Sequence, residues 1–170
     1  VDSNEINEIN LNKERIRTTT IVSENEVLVG TFEGNLYSVN LNSKEFSSEF
    51  SIDSPINQVY IDNDSNKIIV LNKKIILLDI ENNIVEEFEI EISSFNQNIT
   101  KDILYVSSGN MLFYLENNTL TEINLLDAMG LNESKSTLSN TNISSILLID
   151  NMLLLGTENG QIYFYEKIDK

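Results

Sequence analysis

One hairpin is written twice in this chain, near its two ends. Val27-Leu28-Val29-Gly30-Thr31-Phe32-Glu33-Gly34-Asn35-Leu36-Tyr37-Ser38-Val39 returns as Met152-Leu153-Leu154-Leu155-Gly156-Thr157-Glu158-Asn159-Gly160-Gln161-Ile162-Tyr163-Phe164-Tyr165. Each copy sets two apolar runs on either side of a turn. Gly34-Asn35 suits a tight turn because both residues tolerate positive φ. A chain that repeats its supersecondary unit stacks the copies to bury their apolar faces. The repeat therefore constrains the fold more than any single residue does.

Two degraded copies lie between the clear ones. The turn anchors Gly34, Asn72, Gly109 and Gly160 recur roughly every 40 residues, and the last interval is longer; such a period with four short strands per unit is the signature of propeller blades. The first copy predicts strands over Thr18–Val22, Val27–Thr31, Leu36–Leu41 and Lys44–Ile52. The second predicts Ile56–Ile61, Lys67–Leu71, Lys74–Ile80 and Ile84–Ile90, with Pro55 just ahead of the first, where it costs no interior ladder bond. The third predicts Ser94–Ile99, Ile103–Ser107, Met111–Glu116 and Leu120–Leu125. The fourth predicts Ile143–Ile149, Met152–Thr157 and Gln161–Glu166, and lacks an outer strand. The long interval is absorbed by an inserted loop over 127–142, rich in Ser and Thr, in which Leu125 to Leu131 has the makings of a short helical turn. That loop is where phosphorylation or a mobile contact is expected.

Burial patterning agrees with this division. In Val85-Glu86-Glu87-Phe88-Glu89-Ile90, Phe88 and Ile90 share one face and Glu87 and Glu89 the other, as in a strand with one wet side. Ile68-Ile69-Val70-Leu71 and Ile75-Ile76-Leu77-Leu78 are continuously apolar, as strands buried on both faces are. Ile, Val, Tyr and Phe dominate the apolar set and Ala128 is the one alanine, which argues against helices. The fold class expected is all-β, with about four blades of four antiparallel strands over one domain, 1–170. The approximate blades are 16–52, 56–90, 92–126 and 143–170.

Composition narrows the chemistry. The net charge of −16 repels phosphate backbones, so no direct nucleic-acid binding is expected, and a basic partner is favoured. Without Cys or His the chain has no thiolate nucleophile, no disulfide framework, and neither the usual general base nor the usual zinc ligand. The longest apolar run, Ile75 to Leu78, is far too short for a spanning helix or a signal peptide, so no membrane association is expected. The first residue is Val1, which suggests a processed chain or a piece of a longer one.

Several residue groups invite a functional reading. Asp62-Asn63-Asp64-Ser65-Asn66 opens like a calcium loop, but Lys67 and Lys73 stand where such a loop needs Gly and Glu, so it reads as a hairpin turn. Asp79, Glu86, Glu87, Glu89 and Glu91 form an acidic cluster that reads as a solvated rim or a face for a basic partner. Tyr37, Tyr60, Tyr105, Tyr114, Tyr163 and Tyr165 lie in or beside predicted strands, which points to packing, and Tyr37 and Tyr163 occupy matching places. The sequons at Asn63, Asn98, Asn117, Asn132 and Asn142 follow from the abundance of Asn and Ser. No catalytic, cofactor-binding or metal-ligating residue is assigned, and no cofactor is expected.

Gly156-Thr157-Glu158-Asn159-Gly160-Gln161-Ile162-Tyr163-Phe164-Tyr165-Glu166 resembles the inner hairpin of a WD40 repeat, and the copy from Val29 to Asn40 resembles it less fully. The Gly-His and Trp-Asp signatures of that family are absent, and the middle copies keep only the apolar skeleton. Quinoprotein-like and other short-blade propellers fit nearly as well. The resemblance implies a propeller acting as a non-catalytic protein–protein interaction scaffold, in the cytoplasm or nucleus. The alternative is a propeller hydrolase, glycosidase-like, using acids around a central channel. Two closures stay open. Residues 5–11 alternate like a strand and would complete the fourth blade of a four-bladed ring. Otherwise the four blades are part of a larger ring, with further blades supplied by a partner or a missing segment.

Overall fold

The structure, a computed structural model, describes residues 8–11, 13–98, 103–123, 141–149 and 152–166. Among the described residues there are fifteen strands and no helix. The first sheet holds β1 (Ile16–Ser23), β2 (Glu26–Thr31), β3 (Asn35–Asn40) and β4 (Phe46–Ser51). The second holds β5 (Gln58–Ile61), β6 (Lys67–Val70), β7 (Lys74–Leu78) and β8 (Ile84–Glu89). The third holds β9 (Ser94–Asn98), β10 (Ile103–Ser108), β11 (Met111–Glu116) and β12 (Thr119–Ile123). The fourth holds β13 (Ile143–Ile149), β14 (Met152–Thr157) and β15 (Ile162–Glu166). Within each sheet the strands pair antiparallel in chain order. This is the all-β blade architecture that the repeat predicts.

Hairpin chemistry sets the sheets. Gly34, Gly109 and Gly160 all take positive φ in the turn between second and third strands. At Gly34 a side chain would also run into the Ile52 carbonyl, so only glycine serves there. The two clear copies match in register as well as in sequence. Ile16 pairs with Thr31 and, after an irregularity, Thr18 with Gly30; Ile143 pairs with Thr157 and, after the same irregularity, Ser145 with Gly156.

The sheets stack face to face, and three apolar layers lie between them. Leu28 and Leu36 of the first sheet meet Ile56, Val59, Ile69 and Ile76 of the second. Ile68, Val70, Ile75 and Leu77 on the opposite face of the second meet Leu104, Val106 and Leu115 of the third. Ile103, Tyr105 and Leu112 meet Ile143, Ile146, Leu153 and Leu155 of the fourth. The second and third strands of the second sheet are therefore buried on both sides, while β4 and β8 are largely exposed, as their alternating sequences predict. Among the described residues the four sheets do not close into a ring.

Backbone bonds reinforce each junction. The Ile56 amide donates to the Thr31 carbonyl (3.1 Å), that of Ile92 to Asn72 (2.8 Å) and that of Ile143 to Gly109 (2.7 Å). An isoleucine thus leads into each following sheet and ties it to the turn of the sheet before.

The N-terminal stretch does not behave as a strand where it is described. Residues 8–11 form none, and Leu11 packs with Val29, Tyr37 and Val39 on the outward face of the first sheet. Glu5, Ile6 and Asn7, the start of the expected closing strand, lie outside the described residues, as do Leu125 to Leu131 and most of the loop 127–142.

Two tests follow from this packing. A Cβ on Gly30 would lie 2.6 Å from Ile56 Cγ2 and 2.8 Å from Thr18 Cγ2. Gly30→Ala is expected to lower the unfolding free energy by ~1–3 kcal/mol in urea titrations. Gly156→Ala, where only the Ser145 side chain is in the way, is expected to cost less. Tyr60 packs edge-on against Phe95 at 6.4 Å, and burial pushes its phenol up to about 12 from 10.0. The fold thus favours the neutral phenol, a stabilisation complete below pH 10 and lost as pH rises from 10 to 12. Over that window the wild type is expected to lose stability relative to Tyr60→Phe, read by urea unfolding.

Candidate interaction surface

The sequence-flagged polar groups resolve into structural parts. Asp62 closes its own turn: Oδ1 accepts the amides of Asp64 (2.9 Å) and Asn66 (2.7 Å), and Oδ2 accepts Asn66 Nδ2 (2.8 Å). Asp79 does the same for the next turn in the second sheet, and hydrogen bonds from Asn83 hold its carboxyl below the usual range. Of the acidic cluster, Glu87 and Glu89 both reach Lys74 on the neighbouring strand, at 3.4 and 2.8 Å. The Glu89 hydrogen bond, ahead of other contributions, raises the Lys74 ammonium. Among the described residues no group of three or more Asp or Glu is arranged to hold a metal ion. Asp62, Asp64 and Glu116 line a cleft of about 230 Å³ between the second and third sheets.

The tyrosines divide by position. Tyr37 and Tyr105 are buried, and Tyr60, Tyr114 and Tyr163 pack at the edges of the core layers. Tyr37 also donates to Glu14 Oε1 at 2.7 Å, beside Asn35 Nδ2 at 2.9 Å. Burial alone would raise the Glu14 carboxyl, but these bonds outweigh it and its pKa is lowered.

Sequence reading missed a cluster at the turn end of the first sheet. The chain's two arginines, Arg15 and Arg17, flank the exposed ring of Phe32, at 4.0 and 5.9 Å from its centroid. Arg15 Nε donates to Glu33 Oε1 at 3.0 Å, and Arg17 Nε to Asn57 Oδ1 at 2.7 Å. Their signal was present: the only arginines of a strongly acidic chain fall two residues apart.

Among the described residues, an uncovered apolar surface lies at the other end of the array. On the fourth sheet, Leu147 and Ile149 of β13 and Ile162 and Phe164 of β15 are exposed and share the face turned away from the third sheet. One of the four has a covered counterpart in the first copy. Ile162 repeats Leu36; Leu36 is 0% exposed against the second sheet, and Ile162 is 63% exposed.

Comparison with solved structures places this architecture among propellers. The chain is similar to the computationally designed Ika4 protein at 11% identity and TM-score 0.65, over 94% of this chain and 95% of that one. It is similar to the β-propeller domain of Myceliophteria thermophila Cps50 (Swd1) at 13% identity and TM-score 0.67, over 92% of this chain and 52% of that one. It is also similar to the N-terminal domain of Nup159 at 17% identity and TM-score 0.62, over 91% of this chain and 46% of that one. No protein-family model matches the chain, and no curated sequence matches it. The likeness is one of fold: a β-propeller arrangement, of which this chain spans about half the Swd1 and Nup159 lengths.

The Asp62 turn gives a direct test. Asp62→Ala removes three hydrogen bonds and is expected to cost ~1–2 kcal/mol in chemical unfolding. Adding calcium or EDTA to the wild type is expected to leave the thermal midpoint unchanged; a calcium-dependent rise would restore the cation-loop reading.

Proposed function

We propose that this chain is a non-catalytic interaction module, a run of propeller blades that serves as a platform within a larger protein assembly. The observation that carries this is the uncovered apolar face of the fourth sheet, where Phe164 is 60% exposed beside Ile162, Leu147 and Ile149. Contiguous exposed apolar surface marks contact sites, because leaving it in water forfeits its burial energy. The charge of −16 supports a protein partner over a polyanion, and a basic protein above all. The Swd1 and Nup159 chains, about twice as long as this one, support a ring that further blades complete. A place in the cytoplasm or nucleus accords with the absence of Cys.

The hydrolase alternative has one observation in its favour, the cleft lined by Asp62, Asp64 and Glu116. Both oxygens of Asp62 are engaged in its turn, which leaves that carboxylate poorly placed to serve as acid or nucleophile.

A photo-crosslinking residue placed at Phe164 tests the module. In extract from its source it is expected to capture a protein, and the same probe at exposed Glu86 of β8 is expected to capture none. Equal labelling at both positions, or turnover of chromogenic glycosides that Asp64→Asn abolishes, would sink the proposal.

A further inference from the structure

The two ends of the array are complementary. Register makes Ile16, Ile56, Ile92 and Ile143 one repeated position, each two residues before the first-strand residue that pairs with the Gly30 place of its sheet. Ile56 and Ile143 are each 0% exposed, pressed against the sheet before. Among the described residues no sheet packs before Ile16, which is 57% exposed. At the tail the converse holds. Gly30 is bare so that Ile56 can sit on it. Gly156, its repeat, has only its own sheet's Ser145 within 4 Å among the described residues. The Thr31 carbonyl takes both the Gly34 amide of its own turn and the Ile56 amide. Its repeat, the Thr157 carbonyl, takes the matching Gly160 amide at 3.0 Å.

We propose that two copies of this chain join head to tail, Ile16 of each seated over Gly156 of the other, into one ring of two four-sheet arcs. This rests on the reading of the chain as an interaction module and names its partner as a second copy. Three observations favour that occupant. The head supplies the same isoleucine, in the same register, that seats on glycine at the first internal junction. Among the described residues the arc is open, and the chain spans about half the length of the Swd1 and Nup159 chains that it resembles. The charges also match: Arg15 repeats Pro55, which precedes the seated Ile56, so docking brings Arg15 beside the turn that carries Glu158. Leu11 and Ile9 cover Val29, Tyr37 and Val39 on the middle strands of the head face, and leave its innermost strand, with Ile16, open. The fourth sheet presents three strands among the described residues, so this cap and the incoming sheet divide the face between them.

The test is the mass of the purified chain by sedimentation and light scattering. Twice the 19.3 kDa chain mass is expected at micromolar concentration. Ile16→Asp and Ile162→Asp each place a charge in the buried junction and are expected to weaken the pair roughly 100-fold or more. Both positions are exposed within one chain, so unchanged thermal unfolding of each variant's monomer separates lost pairing from lost folding. A head-to-tail contact makes a further demand. The two variants, monomeric alone, are expected to pair when mixed, because one intact head then meets one intact tail. A wild-type chain that stays monomeric at high micromolar concentration, or variants that pair as well as it does, would overturn the proposal. A monomer does so whether or not the probe at Phe164 captures another protein, an outcome that bears on the interaction module alone.

Discussion

Everything in this fold depends on sheets being buried on two faces at once. A single four-stranded sheet with apolar residues on both sides cannot keep them from water, and it gains stability only when a neighbour lies against each face. The second sheet meets that condition fully: Ile68, Val70, Ile75 and Leu77 face one neighbour while Ile69, Leu71, Ile76 and Leu78 face the other. Among the described residues the first and fourth sheets have a neighbouring sheet on one side only. Their outward faces differ in how they manage the shortfall. The first is partly roofed by Leu11 and Ile9, and the fourth leaves Ile162 and Phe164 in solvent.

The sheets were legible in the sequence because their determinants are local. Apolar runs, alternation and glycine turns specify a blade without reference to its neighbours, and the register of β2 with β3 follows from the Gly34 turn. Small differences lie at strand ends: β1 begins at Ile16 where Thr18 was expected, because the Ile16–Thr31 pair survives the irregularity beside it. The candidate surface was less legible. Nothing local separates Leu36 from Ile162, since the two side chains sit in matching strands and differ only in whether, among the described residues, another sheet lies over them. The Arg15–Phe32–Arg17 arrangement was hidden for a related reason: it joins a strand start to a turn 15 or more residues on.

Electrostatics plays a subordinate structural part. Against 27 acidic residues, the ion pairs of Arg15 with Glu33 and of Lys74 with Glu87 and Glu89 each have an exposed partner and are worth little apiece. Carboxylates instead serve locally, with Asp62 and Asp79 closing turns through backbone amides. The remaining negative charge is spread over outer strands such as β8, where it keeps edges from pairing with strangers.

The hydrogen bonds from Ile56, Ile92 and Ile143 all reach the same kind of turn, and those turns gather along one rim of the arc. At the opposite rim the first and second sheets are linked by a side chain, Asn82 Nδ2 to Glu49 Oε2 at 2.7 Å. Main-chain ties are short and cannot swing, whereas a side-chain tie can change rotamer and let go. The arc is thus riveted like a fan along its turn-bearing edge, at all three junctions, while the apolar layers hold its sheets together behind the rivets.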